Sequence, residues 1–367
     1  MRVLKFGGSS LADATRISSV MDIVAEELRS DRVVLVCSAV SGCTDALIKI
    51  GSLPEGEERE TQVEALRLRH QAIVTRLFTG EERRAVSAEV DVLFGELQNA
   101  APQDCVTFGE LFSTVIIARK FACDSVSTCW LDSRRLIRTC CGEVDLDRSY
   151  AAIRGAVDEC PDVRIFVAPG FIASDEDSHV TTLGRGGSDY SAALYAAALD
   201  AGALEIWTDV PGIMTANPRV VPSAATIPEI SYGAALELAE NGAKVLYAPT
   251  VRPAMSAGIA INIKDTFDPG NPGTVVRDIR QGRPESWMGV TSLDRPQDGI
   301  SRICLVGEGV VSRRSASGRI LSALSEAGIK PLSEVDGEAS VFFVDVRLIV
   351  AREAVAAIHR EFFEERS

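Results

Sequence analysis

The sequence predicts an α/β protein, a largely parallel sheet sandwiched by helices, followed by a smaller α+β domain. Three observations carry that reading. Short β-branched runs alternate with helical stretches over roughly the first 275 residues, the pattern of βαβ units whose sheet is covered on both faces. A Pro/Gly-rich stretch, Asp268-Pro-Gly-Asn-Pro-Gly273, then interrupts the alternation, and the order of elements changes beyond it. The length of 367 residues, at about 150 per domain, fits two domains.

In chain order, Val3–Phe6 and Arg32–Cys37 read as strands, with a helix between them carrying Ile17, Val20, Met21, Val24 and Leu28 at helical spacing. Residues from about Glu58 to Ala100 are charged and helical, with Leu66, Ile73, Leu77, Val90, Leu93 and Leu97 as apolar stripes. Further strands are expected near Ser127–Trp130, Arg164–Ala168, Leu204–Thr208 and Ala260–Ile263. Asp268–Gly273 reads as a linker, with more loop character at Gln281–Glu285. The last eighty or so residues read as strand Ile303–Val306, helix Ala316–Ala327, strands Ile329–Val335 and Ser340–Val346, and helix Arg352–Glu364. The expected boundary lies near residue 285, giving domains 1–285 and 286–367.

Composition narrows the function. Hydrophobic residues at 46% and charged residues at 25% exclude disorder, collagen and coiled coil. Apolar runs such as Ile165–Pro169 and Ala192–Leu199 fall far short of the ~20 residues of a membrane helix. Met1 leads straight into a strand-like run with no charged-then-apolar leader, so a cytoplasmic location is expected. Acidic residues exceed basic ones by 52 to 38 and no Lys/Arg cluster interrupts them, which argues against nucleic acid as a partner. A small anionic substrate remains allowed, in one focused basic pocket.

Nine cysteines are irregularly spaced with no C-x-x-C pair, and there are only three histidines, so no metal site is expected and the thiols read as reduced core residues. His70, His179 and His359 form no catalytic order with Ser, Cys or Asp. The chemistry is expected to avoid histidine acid–base catalysis.

Four motifs carry chemistry. Lys5-Phe-Gly-Gly-Ser-Ser10 follows a strand and precedes a helix; adjacent glycines let backbone N–H groups approach an anion, and the lysine adds a point charge. It is neither a Walker loop nor G-x-G-x-x-G, and alone it reads equally well as a tight turn. Thr182-Leu-Gly-Arg-Gly-Gly-Ser-Asp189 also precedes a helix and sets Arg185, a bidentate carboxylate grip, beside Ser188 and Asp189. An N-cap accounts for the serine or the aspartate but not for three glycines and an arginine in one turn. Trp207–Arg219 is a strand end followed by a turn-rich loop, and Asn241-Gly-Ala-Lys-Val-Leu246 places Lys244 after a glycine.

In this order and spacing the four elements resemble the aspartate kinases of the amino acid kinase family. The resemblance covers essentially Met1 to Val276 and includes S-A-V-S-G-C-T at Ser38–Thr44, F-G-E at Phe108–Glu110, A-P-G-F at Ala168–Phe171 and N-P-G-T near residue 272. The helical stretch between Thr44 and Glu110 is similar to the subgroup that includes lysine-sensitive enzymes and the kinase halves of fusions with homoserine dehydrogenase. The resemblance implies transfer of phosphate from ATP, carried with Mg²⁺, to the β-carboxylate of L-aspartate, the first step of lysine, threonine and methionine biosynthesis.

It also implies roles. Lys5, Gly7, Gly8 and Ser9 would cradle phosphate; Ser38, Thr44, Glu110, Arg185 and Ser188 would form the aspartate pocket, with Arg185 on the α-carboxylate and Glu110 on the α-ammonium. Asp189 would orient the lysines, and Thr208, Asp209, Gly212, Arg219 and Lys244 would hold the nucleotide. Lys5, Asp189 and Lys244 would be the catalytic group. The acceptor carboxylate is already ionised at pH 7, so no base is needed, and catalysis reduces to in-line positioning and charge neutralisation.

The sequence departs from the family at Met214, where tyrosine is usual, at Asn217, where aspartate is usual, and at Tyr247-Ala-Pro-Thr250 in place of H-P-R-T. These changes bear on nucleotide affinity rather than on the reaction. The C-terminal domain resembles a single ACT unit through Ile303–Gly309 and Ala354–His359, where two units are usual. Residues 288–293 are β-prone and would supply its missing strand, and pairing with a second chain would make a homodimer at least. Lys330 and the shortened Asp336–Ser340 segment predict weak feedback by lysine or threonine. The other readings are the kinase portion of a fusion with homoserine dehydrogenase, a catalytically silent amino-acid sensor, which the intact Lys5, Arg185, Asp189 and Lys244 oppose, and a related kinase for another acceptor, which the Glu110/Arg185 pair opposes.

Overall fold

The computed structural model describes residues 1–279, 286–308, 313–338 and 341–364. They fall into two units, Met1–Asp209 with Asp265–Pro269, and Val210–Lys264 with Gly270–Ser367.

In the first unit β1 (Arg2–Phe6) leads through a short 3₁₀ turn into α1 (Ala14–Glu27), whose N-cap Asp13 accepts a hydrogen bond from the Arg16 N–H. Next come β2 (Val33–Cys37), α2 (Cys43–Ser52), the antiparallel-length helices α3 (Glu57–Leu77) and α4 (Gly80–Gln98), α5 (Phe108–Cys123) and β3 (Thr128–Trp130). A short α6 (Ser133–Leu136), the strands β4 (Thr139–Cys140) and β5 (Glu143–Val144), and α7 (Leu146–Asp158) lead to β6 (Ile165–Pro169). The strands β7 (Ile172–Ser174) and β8 (Val180–Thr182), α8 (Gly187–Ala198) and β9 (Ala203–Thr208) complete it.

Five of these strands form a parallel array in the order β9-β1-β2-β6-β3. β2 and β6 are buried at every position, as expected where helices cover both faces. The core joins β1 and β2 to the buried stripes of α1 through α5, where Leu66, Ile73, Val90 and Leu97 lie on the predicted faces. β1 runs to β2 on one side and β9 on the other, so chain order reverses at β1. In open α/β sheets ligands bind at such a reversal, outside the carboxyl ends of the strands.

In the second unit β10 (Glu229–Ser231), α9 (Tyr232–Glu240), α10 (Ala248–Ala257), β11 (Ile261–Asp265) and β12 (Thr274–Arg277) come first. β12 pairs antiparallel with β11 and parallel with β10. The C-terminal part is β13 (Ser286–Arg295), β14 (Ile300–Glu308), α11 (Arg313–Glu326), β15 (Asp336–Glu338), β16 (Val341–Arg347) and α12 (Ala351–Phe363). Its strands form an antiparallel sheet in the order β13-β14-β16-β15. Val290, Leu305, Ile320, Phe342, Val344 and Ile358 share its core, which also takes in Ala216 and Val221.

Three expectations are corrected. Asp268–Gly273 is not a linker but the turn that brings β12 back along β11; a Cβ at Gly273 (φ +70°) would fall 1.9 Å from the Ile263 carbonyl oxygen. Ile329–Val335 is not a strand: Pro331 lacks an N–H, only Leu332 donates to Asp345 (2.8 Å), and the ladder to β16 begins at Asp336. Cys140 and Cys141 are exposed, not core thiols, although Cys37, Cys43, Cys105 and Cys304 are buried and all nine are free. The strand expected at 288–293 is present within β13 and pairs with β14. The loop at Gln281–Glu285 and the boundary near 285 lie outside the described residues. No helix among the described residues is long and apolar enough to cross a membrane.

Candidate active site

The carboxyl ends of β1, β2 and β6 open into one cleft of about 420 Å³ in the first unit. It gathers Lys5, Gly8, Ser9, Ser38, Thr44, Glu110, Arg185, Ser188 and Asp189, residues from four separate stretches of sequence. Gly7 lies in the same turn, its N–H bonded to the Trp207 carbonyl at 3.3 Å.

Close backbone approach explains the first glycine pair. A Cβ on Gly8 would sit 2.8 Å from the Ala39 carbonyl oxygen, so only glycine lets the turn after β1 lie against the loop after β2. Two helices begin at the cleft, α2 after Gly42 (φ +72°) and α8 after Gly186 (φ +68°), and neither has a side-chain cap. The Cys43, Gly187 and Asp189 N–H groups are bonded to the Val40, Gly184 and Gly186 carbonyls, so what the two helix starts turn toward an anion is chiefly their positive dipole ends. Thr44 and Ser188 stand in those first turns.

The charged groups are arranged unequally. Lys5 Nζ lies 2.5 Å from Asp189 Oδ1, both side chains being nearly buried. Arg185 is exposed at the cleft and has no ion-pair partner among the described residues. Glu110, 4% exposed, accepts a hydrogen bond from the Ala39 N–H at 3.2 Å through Oε1, and its Oε2 has no partner. Burial pushes its carboxyl up to about 8, against the pull of that N–H, its own backbone N–H and Lys5. An unpartnered buried carboxylate oxygen facing a cleft is a receptor for a cation.

Sequence reasoning passed over two contributors. Ala39 supplies both the N–H on Glu110 and the surface against which Gly8 and Gly109 pack; a Cβ on Gly109 would meet the Ala39 Cβ at 2.7 Å. Phe171, at φ +67°, is packed by Gly187 at the start of α8 and donates its N–H to the Ser191 hydroxyl oxygen at 3.0 Å. Both lie inside quoted motifs, but their roles depend on contacts that local sequence does not show.

The residues that the resemblance assigns to the nucleotide are described unit by unit. Thr208 and Asp209 follow β9, and the Thr208 carbonyl is bonded by the Thr266 N–H at 2.9 Å. In the second unit Gly212 (φ +137°) has no room for a Cβ, which would meet Thr274 Oγ1 at 2.5 Å. Arg219 is exposed and its N–H bonds Asn217 Oδ1 at 3.0 Å, so the asparagine retains the turn-forming role an aspartate would have. Lys244 is exposed in the segment between α9 and α10.

The amino acid kinase family model matches residues 1–265. Lysine-sensitive aspartokinase 3 of Escherichia coli is 36% identical over 77% of this chain and 65% of its own length. The bifunctional aspartokinase/homoserine dehydrogenase of Buchnera aphidicola is 30% identical over 90% of this chain and 43% of its own. The chain thus spans less than two thirds of the length of these curated relatives. The crystal structure of E. coli aspartokinase III in complex with aspartate and ADP superposes with a TM-score of 0.83 at 25% identity, covering 99% of this chain and 100% of that one. With its motifs assembled at the ends of parallel strands and the family model spanning that whole assembly, the chain belongs to the amino acid kinase family.

Proposed function

We propose that the protein is an aspartate kinase, transferring the γ-phosphoryl group of ATP to the β-carboxylate of L-aspartate to give 4-phospho-L-aspartate and ADP. One observation carries the substrate: the unpartnered Glu110 Oε2 and the unpaired Arg185 line the same cleft, one charge of each sign for a zwitterion's ammonium and α-carboxylate. The likeness to aspartokinases, one of them solved with aspartate and ADP, supports the same reading.

The acceptor oxygen attacks the γ-phosphorus as the bond to the bridging oxygen of ADP breaks, and no proton need be removed. Lys5, on the rigid centre of the sheet, neutralises charge on the transferring group, while Asp189 holds its ammonium in place. The N–H groups of Gly8 and Ser9 add donors, that of Gly7 being held by the Trp207 carbonyl. Ser38, Thr44 and Ser188 offer hydroxyls to the substrate. Thr208 and Asp209 hold the nucleotide; the assignment of Gly212, Arg219 and Lys244 to it, and of Lys244 to catalysis, rests on the resemblance. Mg²⁺ bound to ATP would supply further charge neutralisation. The cleft suits an ion that arrives with phosphates, because its Asp189 carboxylate is already engaged by Lys5.

The same reading takes residues 1–285 as the catalytic domain and 286–367 as a single ACT-like regulatory unit of a cytoplasmic homodimer. ATP-dependent trapping of the acyl phosphate by hydroxylamine tests the activity. L-Aspartate should give hydroxamate where acetylglutamate gives none, ADP release with carbamate or UMP should stay at the blank, and an aspartate signal equal to the ATP blank would overturn the assignment. Sedimentation tests the dimer. Lysine or threonine acting at sub-millimolar concentration would contradict weak feedback.

A further inference from the structure

Away from the cleft, two hairpins of the first unit meet. The strands β4 and β5 are joined by Cys141 (φ +53°) and Gly142 (φ +84°), a two-residue turn with both residues left-handed. Asparagine or aspartate is the usual first residue of such a turn; here it is a cysteine, directly after a second one. The strands β7 and β8 are joined by a turn containing Glu176. The two hairpins are fixed together by a bridge between Arg138 and Ser174 and by the Ser174 N–H on the Ile137 carbonyl at 3.0 Å.

This junction brings three donors together. Cys140 Sγ lies 3.8 Å from Cys141 Sγ and 3.3 Å from Glu176 Oε2, and one ligand atom from each residue falls within 4.8 Å of the others. A tetrahedral ion with bonds of about 2.3 Å to sulfur and about 2.0 Å to oxygen has S···S edges of about 3.8 Å and S···O edges of about 3.5 Å. The spacing therefore matches two edges of a zinc-like coordination shell before any ion is present.

We propose that Cys140, Cys141 and Glu176 form a site for a thiophilic divalent cation of the zinc type, bridging the two hairpins and leaving a fourth position for water. Two sulfur donors select zinc or cadmium over magnesium or calcium. A disulfide is the poorer alternative, because consecutive Cα atoms lie about 3.8 Å apart, less than the roughly 4.4 Å minimum usual for a bridge. The neighbouring charges leave Glu176 available. Asp175 Oδ1 accepts the N–H groups of Asp177 and His179, His179 Nδ1 lies 3.5 Å from Asp175 Oδ2, and Glu143 stands opposite Cys140 across the β4–β5 pair.

The test is cadmium titration of the full chain, followed by thiolate-to-metal charge-transfer absorption, with zinc as competitor. One ion per chain bound by two thiolates is expected. Zinc should also block alkylation of the two exposed cysteines in the unaltered protein. Glu176→Gln should weaken binding by at least about tenfold, the least that loss of even a supporting partner costs. The Cys140→Ser/Cys141→Ser double variant should lose the signal while keeping its circular dichroism and kinase activity. Equal stoichiometry and affinity in that double variant, or no protection of the unaltered protein by micromolar zinc, would overturn the proposal.

Discussion

The Lys5 ammonium, on the central strand β1, lies 2.5 Å from Asp189 Oδ1 in the first turn of α8. The two residues are 184 positions apart, so the pair exists only once β1 and α8 are packed. Neither side chain has much access to water, with 11% and 13% exposed, so each depends on the other for compensation. The aspartate fixes where the lysine's charge stands, which is what a transferring phosphoryl group needs.

Lys5→Ala should therefore lower kcat by on the order of 10²–10³-fold, the cost of losing one preorganised charge at a transition state. The KM for aspartate should move little. Asp189→Asn should reproduce most of the kcat loss by releasing the lysine rather than removing it. Steady-state kinetics of the two variants and their combination check this. Independent, additive losses would show that the residues do not act as a pair.

Glu110 predicts a pH dependence. With its carboxyl held up at about 8, the free protein carries it mostly protonated at neutral pH, and a bound ammonium would favour its ionised form. A protonated carboxyl cannot balance an ammonium, so kcat/KM for aspartate should rise with pH and level off above about 8. Glu110→Gln should remove that limb and raise KM. The stability effect has the opposite sense. The folded pKa lies above the unfolded one, so the native group costs stability as pH rises from about 4.5 to about 8. The glutamine variant should accordingly melt higher than the parent at pH 8, a gain in stability against a loss of substrate binding.

Arg185 is exposed in the free protein, so its contribution to substrate binding begins from a hydrated guanidinium. Arg185→Ala is expected at the low end of what a charge-paired contact loses, about 2 kcal/mol, or roughly 30-fold in KM for aspartate. Melting temperature should not change, because among the described residues the side chain makes no hydrogen bond or ion pair. Lysine should restore only part of the affinity, lacking the planar fork that meets a carboxylate twice. An unchanged KM in the alanine variant would remove Arg185 from the pocket.

The parts of this architecture that were legible in the sequence are those whose burial leaves a local pattern. β2 and β6 are buried on both faces and read as unbroken apolar runs, and α3 and α4 show their stripes at helical spacing. The hairpins β4–β5 and β7–β8 left no such trace, because strands of two or three residues are held by each other and by the Arg138–Ser174 bridge. Asp268–Gly273 has linker composition, yet the same residues serve a turn once β12 has β11 to pair with. In the cleft, the glycine loops and Arg185 were visible as motifs. The special state of Glu110 was not, since it comes from burial, opposed by an N–H of Ala39, 71 positions away. The exposure of Cys140 and Cys141 likewise follows from a turn that their own sequence would not suggest.

His70 provides a test of the fold that does not pass through the site. Its ring lies in the core against the stacked pair Phe94 and Phe112, with centroids at 5.5 and 5.0 Å. Nδ1 bonds the Leu66 carbonyl at 2.9 Å, and Nε2 has no partner. Because Nδ1 must donate to that carbonyl, the neutral ring carries its proton there and leaves Nε2 bare against aromatic neighbours. Charging the ring would place a second N–H where nothing accepts it, and burial accordingly pushes the pKa down to about 4 from 6.5. With the folded value below the unfolded one, the unfolded chain takes up the proton first. Stability is thus fully present above about pH 6.5 and is lost as pH falls toward 4. The loss assignable to this residue is on the order of 2–3 kcal/mol, read as a falling urea midpoint between pH 7 and pH 4.5. His70→Leu keeps an apolar group of similar volume, gives up the bond to Leu66, and has nothing to protonate. Its midpoint should start lower than the parent's at pH 7 and fall less steeply on acidification. Parallel curves for the two proteins would place the acid sensitivity elsewhere in the chain.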